Sequence, residues 1–160
     1  MNIVGLLGLP GAGKTTAMDG LTDRIDVDIQ GIQMSAVAKR CYDKVDESGM
    51  DGFSEEFQEQ LSDESVLKDD LHVTGNFSEE IGDWVDTVLS VDGEYFASRA
   101  INSLRSKEAD LFIVDGIRST ADANILTQEA DNCVFYFLHC PFETRLMRLQ
   151  EREGGKTLKS

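Results

Sequence analysis

The sequence contains few cysteines, few basic residues and no long apolar run. Its cysteines, Cys41, Cys133 and Cys140, are odd in number and lack the spacing of metal ligands, so free thiols in a reducing cytosol are the simplest account. No run approaches the ~20 apolar residues of a membrane span, and we expect no membrane partner. No basic stripe of the kind that binds nucleic acid is present, so we expect no nucleic-acid partner either.

Positive charge is scarce: the chain has 15 Lys and Arg residues and 30 Asp and Glu residues, which gives a net charge of −15. An acidic excess of this size suits a cell with concentrated salt, where the Debye length falls to ~3 Å at 1 M. We therefore expect a halophilic protein whose stability and activity rise with KCl. The chain begins directly on an apolar strand pattern without a basic leader, from which we expect a cytoplasmic protein.

The most specific pattern in the chain is a glycine-rich stretch at residues 8–15, called the phosphate loop below. It matches G-x-x-x-x-G-K-[ST] at every fixed position and follows an apolar strand pattern, Ile3-Val4-Gly5-Leu6-Leu7. Backbone N–H groups and the positive end of a helix dipole converge at such a turn on one anionic point. We expect ATP to be bound by Gly8, Leu9, Pro10, Gly11, Ala12, Gly13, Lys14, Thr15 and Thr16.

Strand and helix patterns alternate along the chain. Further strands are predicted at 25–34, with a turn or bulge inside, at 111–116 and at 133–138. Helices are predicted at 14–24, from a cap at Ser35 to about 45, and at 54–61, 78–89, 94–107, 120–130 and 142–153. This order predicts a single α/β domain of three α/β/α layers around a mostly parallel, doubly wound sheet of four strands.

Two charged residues lie at and just after the end of the buried strand pattern at 111–116. Asp115 ends that strand, where together with Thr15 it is expected to bind Mg²⁺. Arg118 follows three residues later, and its guanidinium group is suited to a bidentate contact with an acceptor phosphate. The competing interpretations are a solvated strand-end acid and a surface ion pair.

Three arginines, Arg145, Arg148 and Arg152, recur at helical spacing and so share a helix face. Beside the phosphate loop, this face would neutralise charge on a transferring phosphoryl group. Glu143, Glu151 and Glu153 are equally placed to pair with these arginines, and the two interpretations stay open. Arg99 and Lys39 are weaker candidates for the site.

Three stretches together resemble the P-loop kinases of the nucleoside-monophosphate-kinase type, and more closely an archaeal family related to dephospho-coenzyme A kinase and adenylate kinase. They are Ile3 to Thr15, Val114-Asp115-Gly116-Ile117-Arg118-Ser119, and Leu138-His139-Cys140-Pro141-Phe142-Glu143-Thr144-Arg145. The resemblance implies a P-loop NTPase fold that binds ATP and Mg²⁺ and transfers the γ-phosphoryl group to a small, nucleotide-like acceptor. Lys14, Asp115, Arg118, Arg145 and Arg148 are then the expected catalytic residues.

The sequence departs from that family in two places. Where the family tends to place an acid after its second strand, this chain reads Met34-Ser35-Ala36, followed by Lys39. The family also continues into a lid and a fifth strand, for which this sequence has no pattern, so we expect a truncated lid and C-terminus after about residue 153 and an uncovered fourth strand. The sequence is then either a truncated product or fragment, or a shortened member of the family that leaves the base largely exposed. Between the motifs, residues at about 46–92 are expected to form a helical insertion on the acceptor side.

Two further functions are compatible with the phosphate loop. A nucleotide-binding module without catalysis is favoured by Ala36 and by the short end of the chain. A regulatory GTPase is suggested only by Asp28-Ile29-Gln30-Gly31, which spells D-x-x-G but follows the loop too soon to leave room for a switch region. No N-K-x-D pattern follows the later strands.

Overall fold

The computed structural model describes residues 1–48 and 79–154. Their strands are β1 (Asn2–Leu7), β2 (Ile29–Gln33), β3 (Leu111–Asp115) and β4 (Asn132–Phe137). Their helices are α1 (Lys14–Thr22), α2 (Met34–Ser48), α3 (Glu79–Val91), α4 (Tyr95–Arg105), α5 (Thr120–Glu129) and α6 (Phe142–Gly154). In these ranges, no helix combines the length and the apolar character that crossing a bilayer would require.

The four strands form one sheet in the order β2-β3-β1-β4, and all neighbouring pairs are parallel. Because parallel neighbours run in the same direction, their carboxyl ends lie at one edge of the sheet. The register places Leu6 of β1 opposite Asp115 of β3, and Gln33 of β2 opposite the same aspartate. The phosphate loop and Asp115 therefore lie side by side at this edge, although they are far apart in the sequence.

The larger core lies on the face of the sheet that carries Ile3, Phe112 and Val114. Side chains alternate between faces along a strand, so these residues point to one side. There they pack with apolar residues of α2, α3, α4 and α5, including Val37, Val88, Ala97, Leu104 and Leu126. Apolar residues at helical spacing in α3 and α4 explain this burial, since they form one stripe on each helix.

The opposite face carries Gly31, Ile113 and Asp115. A Cβ atom placed on Gly31 would lie 2.9 Å from the Met18 sulfur, so α1 packs directly on this face. Ile113 is fully buried there. Helices on both faces give the three-layer α/β/α architecture that the sequence predicts. Asp115 also points to the side of the sheet on which α1, with Thr15 in its first turn, lies.

Most element predictions are confirmed within one or two residues, but two are wrong. Residues 25–28 form no strand, and β2 begins only at Ile29. The alternating pattern there belongs to an exposed turn that leads into the strand. Ser35 does not cap α2, because that helix already begins at Met34. The helix predicted at 54–61 lies outside the described residues, as does most of the predicted insertion.

The fourth strand lies at an edge of the sheet and is poorly covered. Val134, Tyr136 and Phe137 are 50%, 57% and 69% exposed. Edge strands usually carry charged residues or proline that prevent pairing with other chains, and β4 carries neither. The expected exposure of this strand is thus observed, while pairing between copies along it stays a prediction.

Candidate functional site

The phosphate loop connects the end of β1 to the first residue of α1. Gly8, Gly11 and Gly13 have φ values of 142°, 79° and 98°, which other residues rarely adopt. Lys14 begins the helix, and within the described residues the N–H groups of Gly13, Lys14 and Thr15 donate to no backbone acceptor. Free N–H groups at a helix N-terminus favour an anion. The loop therefore has the geometry of a phosphate site.

Two of these glycines are also required by close packing. A Cβ atom on Gly8 would lie 2.6 Å from the Leu138 carbonyl oxygen, and one on Gly11 would lie 3.0 Å from the Arg145 carbonyl oxygen. The segment that follows β4 therefore presses against the loop and supports its shape. The sequence pattern explains these glycines by turn geometry and by the approach of a phosphate. It gives no sign of the close packing against Leu138 and Arg145.

Lys14 and Asp115 meet at the carboxyl edge of the sheet. The Lys14 Nζ atom lies 3.9 Å from Asp115 Oδ1 and donates to the Gly8 carbonyl oxygen at 2.9 Å. Asp115 is only 7% exposed. Burial raises the pKa of its carboxyl group, an effect that the Lys14 charge and the Gly116 N–H partly oppose.

The oxygen atoms at this edge fit a magnesium ion. Asp115 Oδ1 is buried and has no hydrogen-bond partner in the described part of the chain. Thr15 is exposed in the first turn of α1, on the same face of the sheet. Mg²⁺ prefers such hard oxygen donors and usually keeps several waters and substrate phosphates as further ligands. In residues 1–48 and 79–154, no group of three or more His, Cys, Asp or Glu side chains could hold a metal.

Two arginines of α6 contact the outside of the phosphate loop. Arg148 Nη1 donates to the Gly11 carbonyl oxygen at 3.0 Å, and Arg145 Nη1 reaches the Pro10 carbonyl oxygen at 3.5 Å. The Arg145 Nε atom is buried without a partner among the described residues. Neither arginine forms an ion pair there with Glu143 or Glu151. Pairing of Arg145 and Arg148 with these glutamates is thus not seen among the described residues, and neutralisation of a transferring phosphoryl group stays a prediction. The side chain of Arg152 lies outside the described residues.

Arg118 lies on the other side of Asp115, at a small cavity between α2, α3 and the start of α5. The cavity also has Met34, Ser35, Val85 and Asp122 in its wall. Arg118 is exposed and forms no ion pair within the described ranges, so its guanidinium group is free to meet an acceptor. Surface pairing, the competing interpretation of Arg118, has no support in this part of the chain.

Asp122 lines this cavity and is not among the residues that the sequence patterns select. It is 3% exposed and forms a capping box with Ser119 at the start of α5. The signal was present as S-x-x-D immediately before the helix pattern. Two weaker candidates have other contacts, because Lys39 pairs with Asp43 at 2.7 Å and the Arg99 guanidinium lies 4.2 Å from the centre of the Tyr95 ring.

A parallel sheet whose first strand ends in this glycine loop, with a buried acid on the neighbouring strand, defines a P-loop nucleotide-binding domain of the kinase-like class. A protein-family model described as an AAA domain matches residues 4–159. The match spans nearly the whole chain, and the protein belongs to this AAA domain family. No curated protein matches the sequence.

Solved structures are similar to this chain at low sequence identity. The crystal structure of TT1252 from Thermus thermophilus has a TM-score of 0.53 and 18% identity, covering 96% of this chain and 73% of that chain. A chain of the Pnkp1/Rnl/Hen1 complex has a TM-score of 0.48 and 12% identity, covering 92% of this chain and 38% of its own length. The first supports the fold assignment alone, and the second is too distant to support an argument.

Proposed function

We propose that the protein is an ATP- and Mg²⁺-dependent kinase that transfers the γ-phosphoryl group of ATP to a small, nucleotide-like acceptor. The observation that carries this proposal is the position of Asp115. Its unpartnered oxygen lies 3.9 Å from Lys14 on one side, and the next residue, Gly116, lines the cavity beside Arg118 on the other. A donor site and an acceptor site thus meet at one buried acid.

Each residue then has a defined role in positioning and electrostatics, which supply most of the catalysis in phosphoryl transfer. The loop N–H groups and Lys14 hold the β- and γ-phosphates. Thr15 and Asp115 are the oxygen ligands for Mg²⁺, which when bound neutralises charge on the phosphates. Arg118 orients an anionic acceptor, while Arg145 and Arg148 support the loop and lie ready to offset developing charge.

The acceptor side is built by α2 and α3, which enclose the cavity with Met34, Val85 and Leu89. Of the predicted acceptor-side insertion at about residues 46–92, Val85 and Leu89 in α3 line this cavity, and the role of the insertion is part of the proposal. The phrase Asp115-Gly116-Ile117-Arg118 supports the finer relation to dephospho-coenzyme A kinase and adenylate kinase. The action is proposed to occur in the cytoplasm, in keeping with the absence of a disulfide bond at Cys41, Cys133 and Cys140 in the described residues.

The alternative is a nucleotide-binding module, or a regulatory NTPase, without kinase activity. It is favoured by Ser35 and Ala36, which stand at the carboxyl end of β2 where the related kinases tend to carry an acid. A GTPase switch at Asp28–Gly31 is not supported. Gly31 lies inside β2, and the Asp28 carbonyl oxygen accepts the N–H groups of Asp110 and Leu111 at the amino end of β3, the edge opposite the loop.

The decisive experiment mixes the protein and Mg-ATP with AMP, CMP or dephospho-coenzyme A and follows ADP. ADP that forms only with an acceptor supports the kinase, whereas ATP binding without turnover for any acceptor supports the module. Lys14→Ala should abolish turnover and weaken Mg-ATP binding by about tenfold or more, since it removes a charged phosphate contact. Lys39→Ala is the matched control, because its exposed pair with Asp43 lies outside the loop. Unchanged ATP affinity in Lys14→Ala would refute the loop as the site.

A further inference from the structure

The outer edge of β4 carries backbone groups that no described strand pairs with. β4 lies last in the order β2-β3-β1-β4, so β1 is its only neighbour among the described strands. The Leu138 N–H donates to the Leu7 carbonyl oxygen, toward β1. Because the direction of the backbone groups alternates along a strand, those of Cys133, Phe135 and Phe137 face the open edge. A partner strand would meet their N–H donors and carbonyl acceptors there.

The side chains around this edge are apolar and exposed. Of the ten large hydrophobic side chains that are exposed in the described chain, four lie in β4 at residues 134–137 and three lie in α6. Val134 and Tyr136 point to one face of the sheet, while Phe135 and Phe137 point to the other. Exposed apolar residues that are concentrated in this way are typical of an interaction surface.

The charge pattern favours a second copy of this chain as the partner. Residues 132–142 contain no Asp or Glu, so two copies with a net charge of −15 can meet here without acid facing acid. The ends of the edge are complementary, because the exposed Asp131 precedes β4 and the exposed His139 follows it. An antiparallel arrangement brings the carboxylate of Asp131 in one copy toward the imidazole of His139 in the other.

We propose that two copies pair along β4 in antiparallel orientation, about a twofold axis at Phe135, and join their two four-stranded sheets into one. This axis places each Val134 opposite the partner's Tyr136, and β-branched and aromatic residues are favourable cross-strand partners. An axis at Val134 would instead place Asp131 opposite the partner's Phe137. The register through Phe135 therefore suits the side chains better.

The packing of Phe135 leaves room at the axis. Its ring leans over Gly5 of the neighbouring strand β1, where a Cβ atom would collide with it. The ring is therefore directed away from the open edge, and the backbones of two copies can approach each other to the distance of paired strands. A glycine inside a strand often marks such close packing.

Pairing of this kind stops at two copies, because each copy uses the same edge. The outer edges of the joined sheet are then the two β2 strands. Antiparallel neighbours place the two phosphate loops at opposite ends of the strands, so both sites stay open to their ligands. The dimer does not depend on the proposed kinase activity.

The first experiment measures the mass of the wild-type chain by sedimentation velocity, from roughly 1 μM to 1 mM protein. We expect a species of twice 17.7 kDa and no larger one. Raising KCl from about 0.1 M to about 2 M screens the repulsion between the acidic copies, so the Kd of the dimer should fall by about tenfold. A monomer at every concentration, assemblies without limit, or a Kd that rises with KCl would overturn the inference.

The second experiment tests the register with two double variants. Val134→Lys combined with Tyr136→Lys places like charges opposite each other, so we expect the Kd of the dimer to rise by at least about tenfold. Val134→Lys combined with Tyr136→Glu places opposite charges at the same points and should bind at least about tenfold more tightly than the first variant. The first variant makes the net charge less negative, so bulk repulsion predicts the opposite result. An equal loss in both would refute the register.

Ile25→Lys is the control, because Ile25 is an exposed apolar residue in the turn before β2. It should keep the wild-type Kd, and a lost dimer would count against the proposed edge. Thermal unfolding checks that each variant folds. If neither double variant folds, hydrogen exchange of the wild type decides, since the amides of Cys133, Phe135 and Phe137 should exchange more slowly in concentrated than in dilute protein. Exchange rates that do not depend on concentration would exclude the pairing.

Discussion

The carboxylate of Asp115 is buried at the carboxyl edge of the sheet and has no hydrogen-bond partner for Oδ1 in the described chain. Lys14 opposes part of this cost but lies 3.9 Å away, beyond hydrogen-bond distance. Burial of this carboxylate without a hydrogen bond to Oδ1 therefore costs stability in the ligand-free protein. A loss of stability from a buried charged residue is common where a site binds a charged ligand.

The pKa of Asp115 leads to a prediction for stability. Burial raises the folded-state pKa of Asp115, because it disfavours the ionised carboxylate. The free energy of unfolding is therefore undiminished below the unfolded pKa, and part of it is lost as the pH rises through the folded pKa. Asp115→Asn should therefore gain stability relative to wild type between about pH 4 and pH 7, as measured by urea unfolding at several pH values. The same variant should lose the thermal stabilisation that Mg-ATP gives to the wild type.

Asp131→Asn provides a control of opposite sign. A hydrogen bond from the N-terminal amine, together with its charge, lowers the pKa of Asp131, so that residue stabilises the protein above its unfolded pKa and the benefit fades as the pH falls through the folded pKa. This exposed variant should be slightly less stable than wild type at neutral pH. If both asparagine variants shift stability in the same direction as the pH rises, the account of Asp115 is wrong.

The loop glycines permit a second prediction at this scale. Gly8→Ala and Gly13→Ala both place a Cβ at positive φ, at a cost of about 1–2 kcal/mol. Only the first meets a backbone atom, the Leu138 carbonyl oxygen at 2.6 Å, whereas the nearest atom to the second is Arg148 Nη1 at 3.6 Å. Overpacking adds about 1–3 kcal/mol to Gly8→Ala alone. Equal losses of unfolding free energy would contradict this packing of the loop.

At the scale of elements, α6 is the part of the fold that shapes the loop from outside. Arg145 and Arg148 of this helix donate to the carbonyl groups of Pro10 and Gly11, and in the described residues neither pairs with a glutamate. Carbonyl groups held from outside help keep the loop conformation that exposes its N–H groups on the other side. The helix therefore connects the fourth strand of the sheet to the phosphate loop.

Arg148 tests this link. Arg148→Gln removes a charge-assisted hydrogen bond to the Gly11 carbonyl, so we expect the Kd for Mg-ATP to rise by about five- to tenfold. Arg105→Gln changes the net charge equally, but Arg105 pairs with Glu129 at a pocket whose wall includes Met1 and Asp28, at the amino ends of the strands. An equal loss of affinity in both variants, measured by calorimetry, would assign the effect to net charge.

For the molecule as a whole, the net charge of −15 acts against its own polyanionic ligand. The local cations Lys14, Arg118, Arg145 and Arg148 lie near the carboxyl edge of the sheet, whereas exposed acids such as Asp23, Asp26 and Asp28 occupy the turn before β2. Salt weakens the mutual repulsion of exposed acids more than the contacts of buried groups.

Stability should therefore rise with salt. Raising KCl from 0.1 M to 2 M shortens the Debye length from ~10 Å to below ~3 Å. Over this range we expect the melting temperature to increase by roughly 5 °C, which corresponds to about 2 kcal/mol of unfolding free energy. Replacing Asp23 and Asp26 by asparagine should reduce this increase, because it removes part of the repulsion in one exposed turn. Greatest stability in dilute buffer would show that the acidic excess is no adaptation to salt.

Local patterns in the sequence were sufficient to predict most of the strands and helices of this protein. Continuous apolar runs identified β1, β3 and β4, and helical spacing identified the described helices. The spacing of glycines and Lys14 predicts a phosphate site, and the positive φ values of Gly8, Gly11 and Gly13 fit that prediction. These signals succeed because backbone conformation and burial act over a few neighbouring residues. They failed at residues 25–28, where alternation without burial forms no strand.

Only the tertiary structure decided which distant residues meet. The order β2-β3-β1-β4 brings Asp115 to Lys14, and the packing of α6 turns Arg148 toward Gly11 rather than toward a glutamate. The burial of Asp122, which lines a cavity together with residues of α2 and α3, is likewise apparent only in the folded chain. Such pairings depend on strand order and on the exclusion of water by several elements together, and no single stretch of sequence carries that information.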